Sequence, residues 1–102
     1  MTPTAFDAKH FLEVVPLRFP FSLEIGAGAS IVSAAITCTT KRGSDASPSA
    51  TLLGSPTVIA GDVLQLVRAG VAGCTYLYVC AATLSNGQVL VRAGLLPVID
   101  FV

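Results

Sequence analysis

Two packed β-sheets built from about seven short antiparallel strands are the architecture this sequence predicts, with a small β-barrel as the alternative. Three observations carry that expectation. Apolar and polar side chains alternate along several runs, most cleanly at Phe19, Phe21, Leu23 and Ile25. Gly, Pro or Asn-Gly punctuation returns about every 8 to 12 residues, the spacing of short strands joined by turns. No window of roughly ten residues holds apolar positions at helical spacing free of Gly, Pro, Ser and Thr, outside a short turn near Thr4 to Lys9.

Each element has a local reason. Phe11 to Val15 is an apolar run closed by Pro16, which removes a ladder donor and suits an edge strand or an extended arm. Phe19 to Ile25 follows as a half-buried strand whose odd positions face the core. The glycine-rich GAGAS at residues 26–30 reads as a turn, and Ile31 to Cys38 as a strand with Val32, Ala34, Ile36 and Cys38 on one face. Residues 39–49 hold Lys41, Arg42, Gly43, Asp45 and Pro48, the composition of a solvated connection. Ala50 to Leu53 and Pro56 to Ile59 read as two short strands, and Ala60-Gly61-Asp62 as the turn into Val63 to Arg68. After the turn at residues 70–73, Cys74, Tyr76, Tyr78 and Cys80 share one face and Leu77, Val79 and Ala81 the other. A strand apolar on both sides belongs in the middle of a sheet. Asn86-Gly87, between Ala81 to Ser85 and Gln88 to Val91, predicts a two-residue type I′ hairpin, because both residues accept positive φ. Arg92 and Gly94 interrupt the last strand, so a bulge or change of sheet is expected before Leu95 to Ile99.

Composition narrows the functional classes. The chain has 102 residues, enough for one small domain, with residues 1–10 as an N-terminal extended arm and 11–102 as a single β-sandwich. Six basic residues balance six acidic ones, and charged residues make up only 12%. That leaves no basic patch of the size phosphate tracking needs, so no direct nucleic-acid partner is expected. The apolar fraction is 53% and the mean hydropathy +0.77, an uncommonly uncharged surface for a free monomer and a reason to expect a homo-oligomer or lattice member. Residues 69–91 carry no charge and are long enough to cross a bilayer. The Ser-Asn-Gly-Gln turn inside them argues against a membrane span. The opening MTPTAFDAKH lacks a basic segment followed by a continuous apolar one, so no signal peptide is expected.

Catalytic chemistry has little to build on. His10 is the one histidine and reads as a surface or interface residue. Cys38, Cys74 and Cys80 read as free, mostly buried thiols. Cys74 and Cys80 on one strand would stand about 20 Å apart, beyond disulfide reach. With His10 they lack the spacing of a zinc site, so no metal or cofactor is expected. Asp7, Glu13, Glu24, Asp45, Asp62 and Asp100 are dispersed, without a pair that periodicity brings together. Tyr76 and Tyr78 read as packed strand residues rather than base-stacking platforms.

The run Gly61-Asp62-Val63 through Gly70-Val71-Ala72-Gly73, then Thr75-Tyr76 with Val79 and Ser85-Asn86-Gly87-Gln88 before the final strand, resembles the small immunoglobulin-like β-sandwich virion proteins of tailed bacteriophages. The likeness spans residues 11–98. It departs at Phe19 and Phe21, where such proteins often show an acidic residue and Trp, and in the basic, open loop at residues 39–49. The resemblance implies a non-enzymatic virion structural protein, synthesised in the bacterial host cytoplasm. Capsid decoration or cement on the major capsid protein comes first, with a head-tail connector or tail protein next. A carbohydrate-binding or adhesion module is the alternative outside the virion. Residues 2–11 are then expected to dock along a neighbouring subunit.

Overall fold

The computed structural model describes residues 4–21, 25 and 28–100, and they form a β-sandwich. The strands are β1 (Thr4–Ala5), β2 (Lys9–His10), β3 (Val15–Pro20), β4 (Ile31–Arg42), β5 (Leu52–Ile59), β6 (Asp62–Val67), β7 (Thr75–Leu84) and β8 (Val89–Ile99). A 3-10 turn, Pro48–Thr51, precedes β5. The large sheet runs β1-β8-β7-β4, with β2 also on β8, and the small sheet runs β3-β6-β5. Both sheets keep open edges, so the barrel alternative does not form.

The core lies where the inner faces meet. Leu17, Phe19, Val63 and Val67 of the small sheet, with Phe21 just beyond β3, oppose Tyr76, Tyr78, Cys80, Ala82, Leu84, Leu96 and Val98 of the large one. The alternation along β3 and β7 therefore sorts side chains as their period of two requires. β7 is the central strand, flanked by β4 and β8. Ser22, Leu23 and Glu24 of the expected Phe19 to Ile25 strand, and part of the GAGAS turn, lie outside the described residues.

Several local expectations are corrected. Phe11 and Leu12 form a turn, and the strand begins only at Val15. A register shift between Ile31 and Ser33 turns Val32 out to 61% exposure, and Ile31 takes the inward place. The two short strands expected at 50–59 are one 3-10 turn and one strand interrupted between Leu53 and Thr57. Gln65, buried, fills that interruption: its Nε2 donates to the Leu53, Gly54 and Leu66 carbonyls at 3.3, 3.2 and 2.8 Å. The hairpin after β7 has a three-residue loop, with Gly87 N–H donating to Leu84 O at 3.0 Å and Leu84 N–H to Gln88 O at 2.8 Å. Only Gly87 takes positive φ there, while Asn86 Oδ1 accepts from Gln88 N–H. A turn closed by a left-handed glycine matches strand twist without a second such residue.

β8 runs through Arg92 and Gly94 in unbroken register with β7, without the expected bulge. Gly94 has a different purpose. A Cβ there would collide with the Phe6 ring, so the missing side chain is the seat for Phe6. Phe6 in turn meets Phe19 edge-on at 5.6 Å, tying the N-terminal segment to the small sheet.

That segment, expected to be extended and docked on a neighbour, adds to its own chain's sheet. Thr4 and Ala5 pair parallel with Gly94 and Leu95, and Lys9 and His10 with Val98 and Ile99. Neither the short turn expected near Thr4 to Lys9 nor a purely antiparallel fold therefore holds. The gap between β1 and β2 falls opposite Pro97. Because Pro97 stands opposite Thr75 on β7, its nitrogen must point the other way, toward the N-terminal segment, where it has no proton to give.

Candidate functional site

The outer face of the large sheet is the feature most unlike an ordinary soluble surface. Along β7 the even residues are buried inward, so Thr75, Leu77, Val79, Ala81 and Thr83 point out and are half-buried among their neighbours. On β8 the outward set is Val89, Val91, Ala93, Leu95, Pro97 and Ile99. On β4 it is Ser33, Ala35, Thr37 and Thr39 and, past the register shift after Thr40, Arg42 opposite Thr75, all exposed. Arg42, at the end of β4, is the one charge among these outward side chains, and Val89 is 57% exposed. Three strands about 4.8 Å apart and about ten residues long give a face on the order of 450 Å², within the range of patches that commonly serve binding. The small sheet differs: across its outer face Arg18 pairs with Asp62, and its Nε donates to Asp62 Oδ2 at 2.8 Å.

A groove of about 740 Å³ lies between the N-terminal segment and β3, lined among others by Asp7, Lys9, Glu13, Arg18, Leu17 and Leu96. Its lysine is already engaged. Lys9 is only 1% exposed, and its Nζ donates to the carbonyls of His10 at 2.8 Å and Ala69 at 2.7 Å. Burial pushes its ammonium pKa down, partly offset by the Glu13 carboxylate. This lysine binds the N-terminal segment to the loop after β6, which is a structural task.

The other residues singled out from the sequence are likewise absorbed into packing. His10 stacks on Phe11 at 4.7 Å, its Nδ1 accepts from Leu12 N–H, and its own N–H donates to Glu13 Oε1 at 2.7 Å. Cys38, Cys74 and Cys80 are buried and unpaired. Burial pushes the Cys38 thiol up and the Cys80 thiol up to about 11, away from nucleophilic thiolate. Tyr78 and Cys38 converge on Thr51 Oγ1 at 2.7 and 3.6 Å. Thr51 spends its own proton on the Pro48 carbonyl at 2.9 Å, so the phenol and the thiol are the donors. This junction holds the 3-10 turn against the large sheet.

The loop at residues 39–49 is less open than its composition suggests. Tyr76 O–H donates to Asp45 Oδ2 at 2.7 Å while accepting from Val71 N–H at 2.7 Å. The tyrosine hydrogen bond, followed by one from Ser47 N–H, holds the Asp45 carboxyl below its ordinary pKa. Sequence reading missed Asp45 as an anchor, because a single acid among loop residues carries no periodic signal. Lys41 and Arg42 close β4 and remain exposed. Among the described residues, no group of three or more His, Cys, Asp or Glu is placed to hold a metal ion. No helix among them is long and apolar enough to cross a membrane. Comparison with protein-family models, with curated proteins and with solved structures finds no match.

Proposed function

We propose that this protein is a non-enzymatic assembly subunit that works through buried contact area. The carrying observation is the outer face of the large sheet, which across β4, β7 and β8 carries a single charge, Arg42 at the end of β4. A free monomer normally presents polar side chains on an outward sheet face, so a face of Thr, Ala, Val and Leu is suited to being covered. Its extent, on the order of 450 Å², is about half of the ~800 Å² per partner of a stable pairwise complex. A subunit with such a patch gains firm attachment when several contacts act together, as in a symmetric lattice.

Within this reading, the resemblance to tailed-phage virion proteins supports a capsid decoration or cement role, with the major capsid protein as partner and the virion as location. The test is to mix the purified chain with DNA-filled and DNA-free particles and image the added density. Density over the capsid lattice, retained in about 1 M salt because apolar contacts are not screened, is the expected result. Density at one vertex or on the tail would replace decoration with a connector or tail role. No binding to either particle would overturn the virion reading.

A further inference from the structure

The two sheets guard their edges differently. In the small sheet, Pro16 and Pro20 lie on β3 and Pro56 on β5. Phe21 N–H donates to Gly61 O just past β3, so odd residues face β6 and the nitrogens of Pro16 and Pro20 point to the free edge without a proton. β4, the outer strand of the large sheet, has no such protection. It is 12 residues long, contains no proline, carries no charge before Lys41, and keeps regular register from residue 33 to residue 40.

The direction of its backbone groups follows from β7. Thr75 faces Pro97 on β8 and cannot exchange both hydrogen bonds with it, so odd residues of β7 bond β4. Their partners there are Ser33, Ala35, Thr37 and Thr39. The N–H and C=O groups of Ala34 and Ile36 therefore point away, to the open edge. Their side chains face inward yet remain half-buried, whereas Cys38 two residues on is buried beneath Thr51. Among the described residues, the sandwich is thus uncovered along the first half of β4.

We propose that β4 pairs antiparallel with β4 of a second copy of this chain, about a two-fold axis at Ala35, joining two large sheets into one. Ala34 then lies opposite Ile36 of the copy, and each such pair exchanges two backbone hydrogen bonds. The charge pattern selects this partner and direction. Lys41 and Arg42 then fall past the start of the copy's β4 at Ile31, at the far end from its own basic pair, whereas parallel pairing would set the basic ends side by side. A two-fold contact is self-complementary and closes without leaving a new edge of the same strand. Joining the sheets also makes the two apolar outer faces continuous, which deepens the assembly reading above.

The isolated chain tests this without particles, so failure here leaves particle binding standing, and failure of particle binding leaves this standing. Light scattering and sedimentation from about 1 µM to about 1 mM are expected to show a monomer-dimer equilibrium. Ala35→Lys, on an exposed position, sets two ammonium groups face to face and is expected to weaken the dimer at least tenfold at unchanged urea midpoint. Ala35→Cys places two thiols in a pair about 4.5 Å apart at Cα and is expected to give a disulfide-linked dimer on mild oxidation. Thr37→Cys, offset from its copy by about 13 Å, is expected to give none. A chain monomeric throughout that range would overturn the proposal. So would a dimer that resists Ala35→Lys, leaves Ala35→Cys unlinked, and dissociates with Val91→Lys, since that pattern marks face-to-face stacking.

Discussion

The small sheet is finished as a surface, and the large sheet is not. The small one carries proline on both outer strands and an Arg18–Asp62 ion pair on its outer face. The large one ends in a proline-free β4 and presents a face whose one charge across β4, β7 and β8 is Arg42, at the end of β4. Both give one side to the shared core, the small sheet through β3 and β6 and the large sheet through β4, β7 and β8. The difference concerns what each sheet does with its second side, and it teaches that the proposed association rests on the larger one.

The sheets also differ in how tightly their special residues are held, and the largest expected effect probes that. Gly94→Val drives a side chain into the Phe6 ring and should cost about 3 kcal/mol in urea unfolding, as overpacking does. Phe6→Ala in the same chain should recover part of the loss, because it empties the contested space. An additive double variant would show that the Phe6 seat is not the reason for the glycine.

Next comes the small sheet's own vulnerable point. Gln65→Leu strips donors from the Leu53, Gly54 and Leu66 carbonyls around the β5 interruption, and should lower stability by about 2 kcal/mol. An unchanged urea midpoint would mean water satisfies those carbonyls.

Base should act on the large sheet, where the buried thiols and phenols lie. Cys80 ionises near 9.0 when unfolded and at about 11 when folded, so above pH 9 the unfolded chain binds fewer protons. Its stabilising contribution is whole below pH 9 and is lost as pH rises toward 11, by roughly 2 kcal/mol. Cys38, Tyr76 and Tyr78, also raised by burial, act in the same direction. Lys9 is shifted down and opposes them, since its buried ammonium is relieved as pH rises toward 10.5. Cys80→Ala should therefore flatten the decline between pH 9 and 11. A slope identical to the parent's would place the loss elsewhere.

The smallest effect on stability bears most directly on the edges. Replacing Pro16 and Pro20 together by Val restores two donors to the free edge of β3 at a cost of about 1 kcal/mol, mainly by loosening the unfolded chain. Association measured by light scattering should nevertheless rise. If it does not, proline is not what closes the small sheet.

How far the sequence reveals these features depends on whether their cause is local. The faces of β7 and the inward Phe19 and Phe21 were legible because a period-two pattern needs only its own residues. Asn86-Gly87 marked the hairpin's place but not its loop type, since one left-handed residue was enough. Gly94 looked like an interruption because Phe6, its reason, is far away in the chain. Of the candidate surface, the scarcity of charge was visible in composition. Which strand would be left at the edge was not, because edge position is a property of pairing between distant segments.

By itself, the sequence determined the all-β class, the central place of β7, the buried alternation and the neutral surface, all of which follow from local periodicity and composition. Only the tertiary structure decided that the N-terminal segment would add to its own sheet, that Asp45 would be bolted to Tyr76, and that β4 would stand at the edge of the large sheet. These depend on contacts between segments far apart in the chain, and no local pattern encodes which distant backbone will arrive to meet a given strand.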